Sequence, residues 1–177
     1  MNAEIDRTNP FRVCTGSHGV VLRRPTTQYE RVSQAMVETG SSRGGHEQVI
    51  ADYVDLWQGD FTKLDVLAES IDLYDPGVPG GELHGRDAFE SFLRELRAGF
   101  PDFAVHVEDV LAGDGVVMWE STVTGTHEGE FYGIPPTGRE MTVIGMSKTL
   151  IADGRVQEDR IYYDSREMSE QLGHTEG

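Results

Sequence analysis

The chain has one cysteine in 177 residues. A lone Cys14 excludes an internal disulfide framework, so nothing calls for an oxidising compartment. No helical or strand pattern surrounds it, and the thiol reads as incidental rather than nucleophilic. Lysine is almost missing as well, with only Lys63 and Lys148. The acids therefore cannot form the lysine–glutamate networks of heat-adapted proteins. No apolar run approaches the roughly 20 residues of a membrane span, and the first residues lack the apolar core of a signal peptide. A soluble, cytoplasmic protein with no membrane partner is expected. His84, His106 and His127 fall on three separate elements, and there is no HExxH or cysteine-rich spacing, so no metal site is expected. GVPGGELHG, 77–85, lacks the lysine and hydroxyl residue that close a phosphate loop, and its glycines read as turn geometry. No serine-centred nucleophile elbow is present.

What the chain does have is negative charge, −16 overall. Residues 1–45 hold six arginines against four acids, which leaves nine basic and 27 acidic residues for 46–177. That surplus would repel phosphates and argues against nucleic acid as a partner. Concentrated salt screens such self-repulsion, so a halophilic source is expected.

A hydrophobic content of 37% fits one domain with a core. Residues 1–45 lack sustained periodicity, close on GSSRGG, and read as a flexible leader; VVLRR at 20–24 is its one candidate strand, and YERVSQAMVE at 29–38 a helical turn or two. The domain is expected over 46–177. Val49, Ile50, Tyr53, Val54 and Trp57 are spaced as one face of a helix that stops near Gly59. A short second helix is expected at 63–69, a strand at 70–76, and a third helix from Ala88 to Gly99. Strands follow at 103–112, 116–127, 140–152 and 155–163, with Asp-Gly turns at 114–115 and 153–154. Asp164 then caps a last helix, with Glu167 completing a capping box. Helices followed by a meander of long strands predict α+β: a curled antiparallel sheet wrapped as a cone around the N-terminal helices.

The stretches TGTHEGEFYGIPPTG, IADGRVQED and YYD before a short helix, with YVDLWQGDFTKLDVLAESIDLYDPGVPGGELHGRDAF upstream, resemble the SnoaL-like polyketide cyclase (ester cyclase) family of the nuclear transport factor two-like superfamily. The resemblance spans about residues 47–173. It implies a ligand cavity inside the cone, a homodimer paired through its sheet faces, and chemistry without metal or cofactor. In characterised cyclases of the family an aspartate on the last strand passes a proton during an aldol ring closure of a polyketide methyl ester. Those cyclases also carry a histidine on the preceding strand, where Gly145 or Ser147 stands here. The superfamily includes isomerases, hydrolases and non-enzymatic binders on the same fold.

The last hairpin allows two registers. A three-residue loop at 152–154 sets Asp159 opposite Ser147, on a face of small residues shared with Val143, Gly145 and Tyr163, and sets Lys148 against Glu158 on the other face. A carboxylate beside an apolar cavity has its pKa raised toward a range suited to proton transfer. A two-residue turn at Asp153-Gly154 shifts every pair by one and makes Asp159 the ion-pair partner of Lys148. The inward parity implied by the family favours the first, with Asp159 as acid/base on a small hydrophobic carbonyl or ester compound; a binding or dimerisation module and a hydrolase are the alternatives. His127 either hydrogen-bonds a substrate carbonyl or fixes the strand end. Tyr53 and Trp57 close a cavity floor or simply pack in the core. Trp119 and Glu120 have opposite parity, so only one faces inward. Phe131, with Tyr132, covers the mouth from the GEFYGIPPTG crossing. Ser147 and Tyr163 complete the expected ligand site; His84 reads as an exposed loop residue and His106 as a sheet residue.

Overall fold

The helix α1 (His46–Trp57) buries Ile50, Tyr53, Val54, Leu56 and Trp57, the stripe its apolar spacing predicts. It opens the part of the chain that the computed structural model describes, residues 46–173; the expected leader, its strand and helical turns, and Cys14 lie outside the described residues. Where a second α-helix was expected, a 3-10 helix spans Phe61–Val66, capped by the Asp60 side chain, which accepts from the Thr62 N–H. It is short because Leu67, Ile71 and Leu73 already alternate into the core as strand residues. Strand β1 (Leu67–Tyr74) therefore begins three residues before the expected start. The three-residue β2 (Glu82–His84) lies within the glycine-rich segment read as loop, where it pairs with β1.

Helix α2 (Arg86–Gly99) buries Phe89, Phe92, Leu93 and Leu96. Strands β3 (Ala104–Gly113), β4 (Val116–Thr126), β5 (Glu140–Ala152) and β6 (Arg155–Tyr163) follow within one residue of the expected bounds. Helix α3 (Ser165–Leu172) is capped by Asp164, whose carboxylate accepts from the Arg166 and Glu167 N–H groups. The six strands form one open sheet in the order β2-β1-β6-β5-β4-β3. Every pairing is antiparallel except β1 with β6, which is parallel. The architecture is the expected α+β cone, a curled sheet with α1 and α2 on its inner side. Trp57 joins the layers: its ring lies 5.5 Å from Phe89, 5.8 Å from Phe92 and 6.4 Å from Phe103, and each such aromatic pair adds about 0.5–1.5 kcal/mol beyond area burial.

The β5–β6 hairpin combines the two registers. Ala152 pairs with Arg155 and Ile151 with Val156, as a two-residue turn requires, and Asp153 and Gly154 both take positive φ, 52° and 70°. The register then shifts: Leu150 pairs with Glu158, Thr149 with Asp159, Ser147 with Ile161 and Gly145 with Tyr163. Gln157 is the extra residue of a β-bulge. The bulge restores the parity that the turn alone removes, so Asp159 faces inward, at 0% exposure. Its partner is Thr149 rather than Ser147. Lys148 meets Arg160 rather than Glu158, and Glu158 instead accepts from Arg160 Nε at 2.7 Å.

On the outer face of the sheet Leu111, Met118, Ile144, Met146 and Tyr162 are 41–64% exposed. Among the described residues no helix is long and apolar enough to cross a membrane.

Candidate functional site

The inward positions of β4, β5 and β6 stack in layers. From the mouth downward they are Val123–Val143, Ser121–Gly145–Tyr163, Trp119–Ser147–Ile161 and Val117–Thr149–Asp159. A cavity of about 360 Å³ reaches down to the Trp119–Ser147–Ile161 layer. Gly145 and Ser147 leave room at its centre, while Trp57, Phe100, Phe103, Trp119, Phe131 and Tyr163 make much of its wall aromatic.

The mouth is built from the segment between β4 and β5. Phe131 and Ile134 exchange backbone hydrogen bonds of 3.1 and 3.0 Å around Tyr132 and Gly133, whose φ values, 49° and 76°, form a tight turn. The N–H groups of Glu128 and Gly129 both donate to the Gly99 carbonyl at 3.0 Å, anchoring the crossing to the end of α2. A Cβ at Gly129 would overlap the Ala98 carbonyl, so glycine is required there. Phe131, Tyr132 and Ile134 all line the cavity.

One acid lines the cavity among the described residues, and it is Asp75. It follows β1 directly and is 7% exposed. Its Oδ1 accepts from the Gly77 N–H at 2.7 Å and from the Tyr163 hydroxyl at 3.0 Å. Burial pushes its carboxyl above the usual range, and these two hydrogen bonds pull it partly back. Tyr163 is pushed strongly upward by burial and by the neighbouring Asp75 charge, so its hydroxyl keeps its proton. The sequence places Asp75 in the strand expected at 70–76 without giving it a role in the site. The signal was present in the alternation Ile71, Leu73, Asp75, which continues the inward face of β1 by one more position.

Asp159 lies one layer below the cavity floor. Its Oδ2 accepts from the Tyr53 hydroxyl at 2.9 Å and its Oδ1 from Thr149 Oγ1 at 2.8 Å. Thr149 Oγ1 in turn accepts from Trp119 Nε1 at 2.9 Å. Burial raises the Asp159 carboxyl to about 7 against the pull of both hydrogen bonds, with the Asp75 charge adding to the rise. Tyr53 is raised well above its ordinary value by burial and then by Asp159.

Of the predicted site residues, Trp57, Trp119, Phe131, Ser147 and Tyr163 line the cavity, whereas Tyr53, Asp159 and His127 do not. His127 is 1% exposed and stacks on Phe100 with centroids 5.0 Å apart. Its Nδ1 lies 3.2 Å from Thr137 Oγ1, its N–H donates to Arg139 and its carbonyl accepts from Gly138. These backbone bonds tie the end of β4 to the start of β5. Glu120 points outward, opposite in parity to Trp119, and is exposed like His84 and His106. His84 pairs with Asp72 at 2.7 Å on the sheet edge. No group of three or more histidine, cysteine, aspartate or glutamate side chains suited to a metal ion occurs among the described residues.

Residues 47–172 match the family described as SnoaL-like polyketide cyclase. No curated protein is significantly similar in sequence. Among solved structures, IdmH from Streptomyces antibioticus, a proposed polyketide cyclase, is 28% identical with a TM-score of 0.61, covering 71% of this chain and 96% of its own. AclR from Streptomyces galilaeus, a proposed hydroxylase, is 24% identical with a TM-score of 0.64, covering 77% of this chain and 85% of its own. A protein from Catenulispora acidiphila with a ketosteroid isomerase-like fold, solved with trimethylamine, is 14% identical with a TM-score of 0.62, covering 72% of this chain and 93% of its own.

Proposed function

This chain belongs to the SnoaL-like polyketide cyclase family, and from that premise we propose that it is a cofactor-independent enzyme that moves protons on a small hydrophobic carbonyl or ester compound, with Asp75 as the acid/base. The observation that carries this reading is the placing of one carboxyl group, held by Tyr163, in the wall of an otherwise largely apolar cavity. A carboxylate there removes a proton from the carbon next to a carbonyl, and the electron pair passes to the carbonyl oxygen as an enolate. The enolate then either takes the proton back at a different carbon, an isomerisation, or attacks a second carbonyl of the same molecule, whose oxygen receives the proton from Asp75. The Ser121 and Ser147 hydroxyls line the cavity, where they can donate to the developing oxyanion. The apolar wall raises the Asp75 carboxyl above its usual range, which makes it a stronger base, and excludes water from the enolate.

The test does not require the natural substrate. In D2O, 2-tetralone exchanges the protons beside its carbonyl, and proton NMR follows the loss of signal. The wild-type protein is expected to speed this exchange, and Asp75→Asn to lower the catalysed rate about 100-fold or more while still binding the ketone. Binding without any Asp75-dependent exchange would instead favour the non-catalytic module, and ester cleavage without exchange the hydrolase.

We also propose that the outer sheet face pairs two copies. Leu111 sits beside Met118 across β3 and β4, and Met146 beside Tyr162 across β5 and β6, making two exposed apolar pairs with Glu120 and Lys148 between them. Lys148 and Arg160 share that face with Glu120 and Glu158, so a twofold partner can set unlike charges against each other.

A further inference from the structure

The cavity floor rests on a chain of hydrogen bonds that the proton-transfer chemistry above does not use. Trp119 Nε1 donates to Thr149 Oγ1, Thr149 donates to Asp159 Oδ1, and Tyr53 donates to Asp159 Oδ2. The order has a directional logic. A threonine hydroxyl has one proton and two lone pairs, and an indole has one donor and no acceptor. Because the Thr149 proton is committed to the carboxylate, a lone pair is left for the indole. Trp119 is the only member of this chain that also lines the cavity. Thr149 and Asp159 are both 0% exposed, so a ligand seated on the Trp119–Ser147–Ile161 layer touches neither.

We propose that Asp159 and Thr149 are positioning residues that act through Trp119: the buried carboxylate turns the threonine hydroxyl, the hydroxyl fixes the indole, and the indole sets the shape of the floor against which a flat apolar ligand stacks. This rests on the cavity being the binding site, and it assigns Asp159 no contact with the reacting atoms. The groups that face Asp159 are Tyr53 from α1, Thr149 from β5 and, through its charge, Asp75 from the end of β1. Protonation of Asp159 removes the charge that polarises this chain. A proton on Oδ1 would turn the Thr149 bond around, and a proton on Oδ2 would do the same to Tyr53. The floor is therefore sensitive to a group that no ligand reaches.

The chain has two tryptophans, so 15N labelling gives two indole signals, assigned with Trp57→Phe and Trp119→Phe. In the wild-type protein the Trp119 signal is expected to follow the ionisation of Asp159 as pH is raised, a measurement that needs no variant. Asp159→Asn should abolish that titration. Thr149→Val should move the Trp119 signal upfield and speed its hydrogen exchange about tenfold, the equivalent of one lost hydrogen bond, and Thr149→Ser should restore both. The affinity for 2-tetralone should fall severalfold in Thr149→Val and return in Thr149→Ser. A Trp119 signal that neither titrates nor responds to Thr149→Val would overturn the inference, as would unchanged ketone affinity in that variant. The two proposals separate cleanly, because failure of Asp75-dependent exchange leaves the indole signals untouched.

Discussion

Thr149 donates to Asp159 across 2.8 Å between β5 and β6, and the two stand opposite each other because Gln157 bulges out of the β6 ladder. Were Gln157 instead paired in the ladder, the tight Asp153-Gly154 turn would continue its register up the hairpin, and Asp159 would face outward beside Lys148. A carboxylate held by two hydroxyls under an aromatic floor is thus the product of a bulge, and its energetics follow from burial.

The first prediction concerns stability against pH. Asp159 holds its proton up to about 7 in the folded protein, whereas an unfolded aspartate releases it near 3.9. Between those values the folded state binds more protons than the unfolded state, so stability falls as pH rises from about 4 to about 7 and is level above that. The ceiling on the loss is roughly 4 kcal/mol. Asp75, also raised, contributes with the same sign. Asp159→Asn is expected to remove most of this slope in urea unfolding followed across that range; a slope equal to that of the wild type would show that Asp159 ionises freely in the fold.

Tyr163→Phe tests the other carboxyl. The Tyr163 hydrogen bond favours the charged form of Asp75, so its loss raises the pKa. A base must be ionised to act, so the acidic limb of the ketone exchange profile moves to higher pH while the plateau above it stays within severalfold of wild type. A limb that stays in place would mean that another group, not Asp75, limits the rate.

These groups mark how far sequence reasoning reaches. The long strands were legible because each alternates strongly, and Asp114-Gly115 and Asp153-Gly154 allow the positive φ that tight hairpin turns need. The bulge was not, because one extra residue in a strand leaves no compositional mark. The three-residue β2 was hidden by the glycines around it, and the parallel pairing of β1 with β6 by the distance between them in the chain. In the site, alternation reveals which face a side chain occupies but not its depth. Trp119, Ser147 and Tyr163 reach the cavity, while Asp159, on the same face as Tyr163, lies a layer below it. Asp75 was missed because the expected strand at 70–76 was not divided into inward and outward positions.

The outer face yields a third prediction. Ile144 is 64% exposed, so replacing it costs the isolated subunit little. Placed in a twofold interface, Ile144→Glu would set two carboxylates close together in apolar surroundings, and association should weaken roughly 30-fold or more. Sedimentation velocity over a concentration series in molar KCl checks this. A wild-type protein that stays monomeric throughout would remove the dimer proposal.

The last prediction is salt dependence, and it follows from the excess of acids over basic residues. Among the described residues, ion pairs with lysine or arginine include those of Asp52, Asp65, Glu90, Glu158 and Glu170, and residues 46–177 hold 27 acids against nine basic residues. The excess carboxylates repel one another, and folding brings them closer. Screening length falls from about 10 Å at 0.1 M to about 3 Å at 1 M salt, so the repulsion that folding must overcome shrinks as salt is added. Melting temperature should therefore rise by several degrees, roughly 4 °C for each 1 kcal/mol regained, between dilute buffer and 2 M KCl. Potassium chloride is the suitable salt because it has little preferential exclusion of its own, unlike sulfate or phosphate. A melting temperature that does not change would mean that the acids are spaced widely enough for water alone to screen them, and the expectation of a salt-rich cytoplasm would go with it.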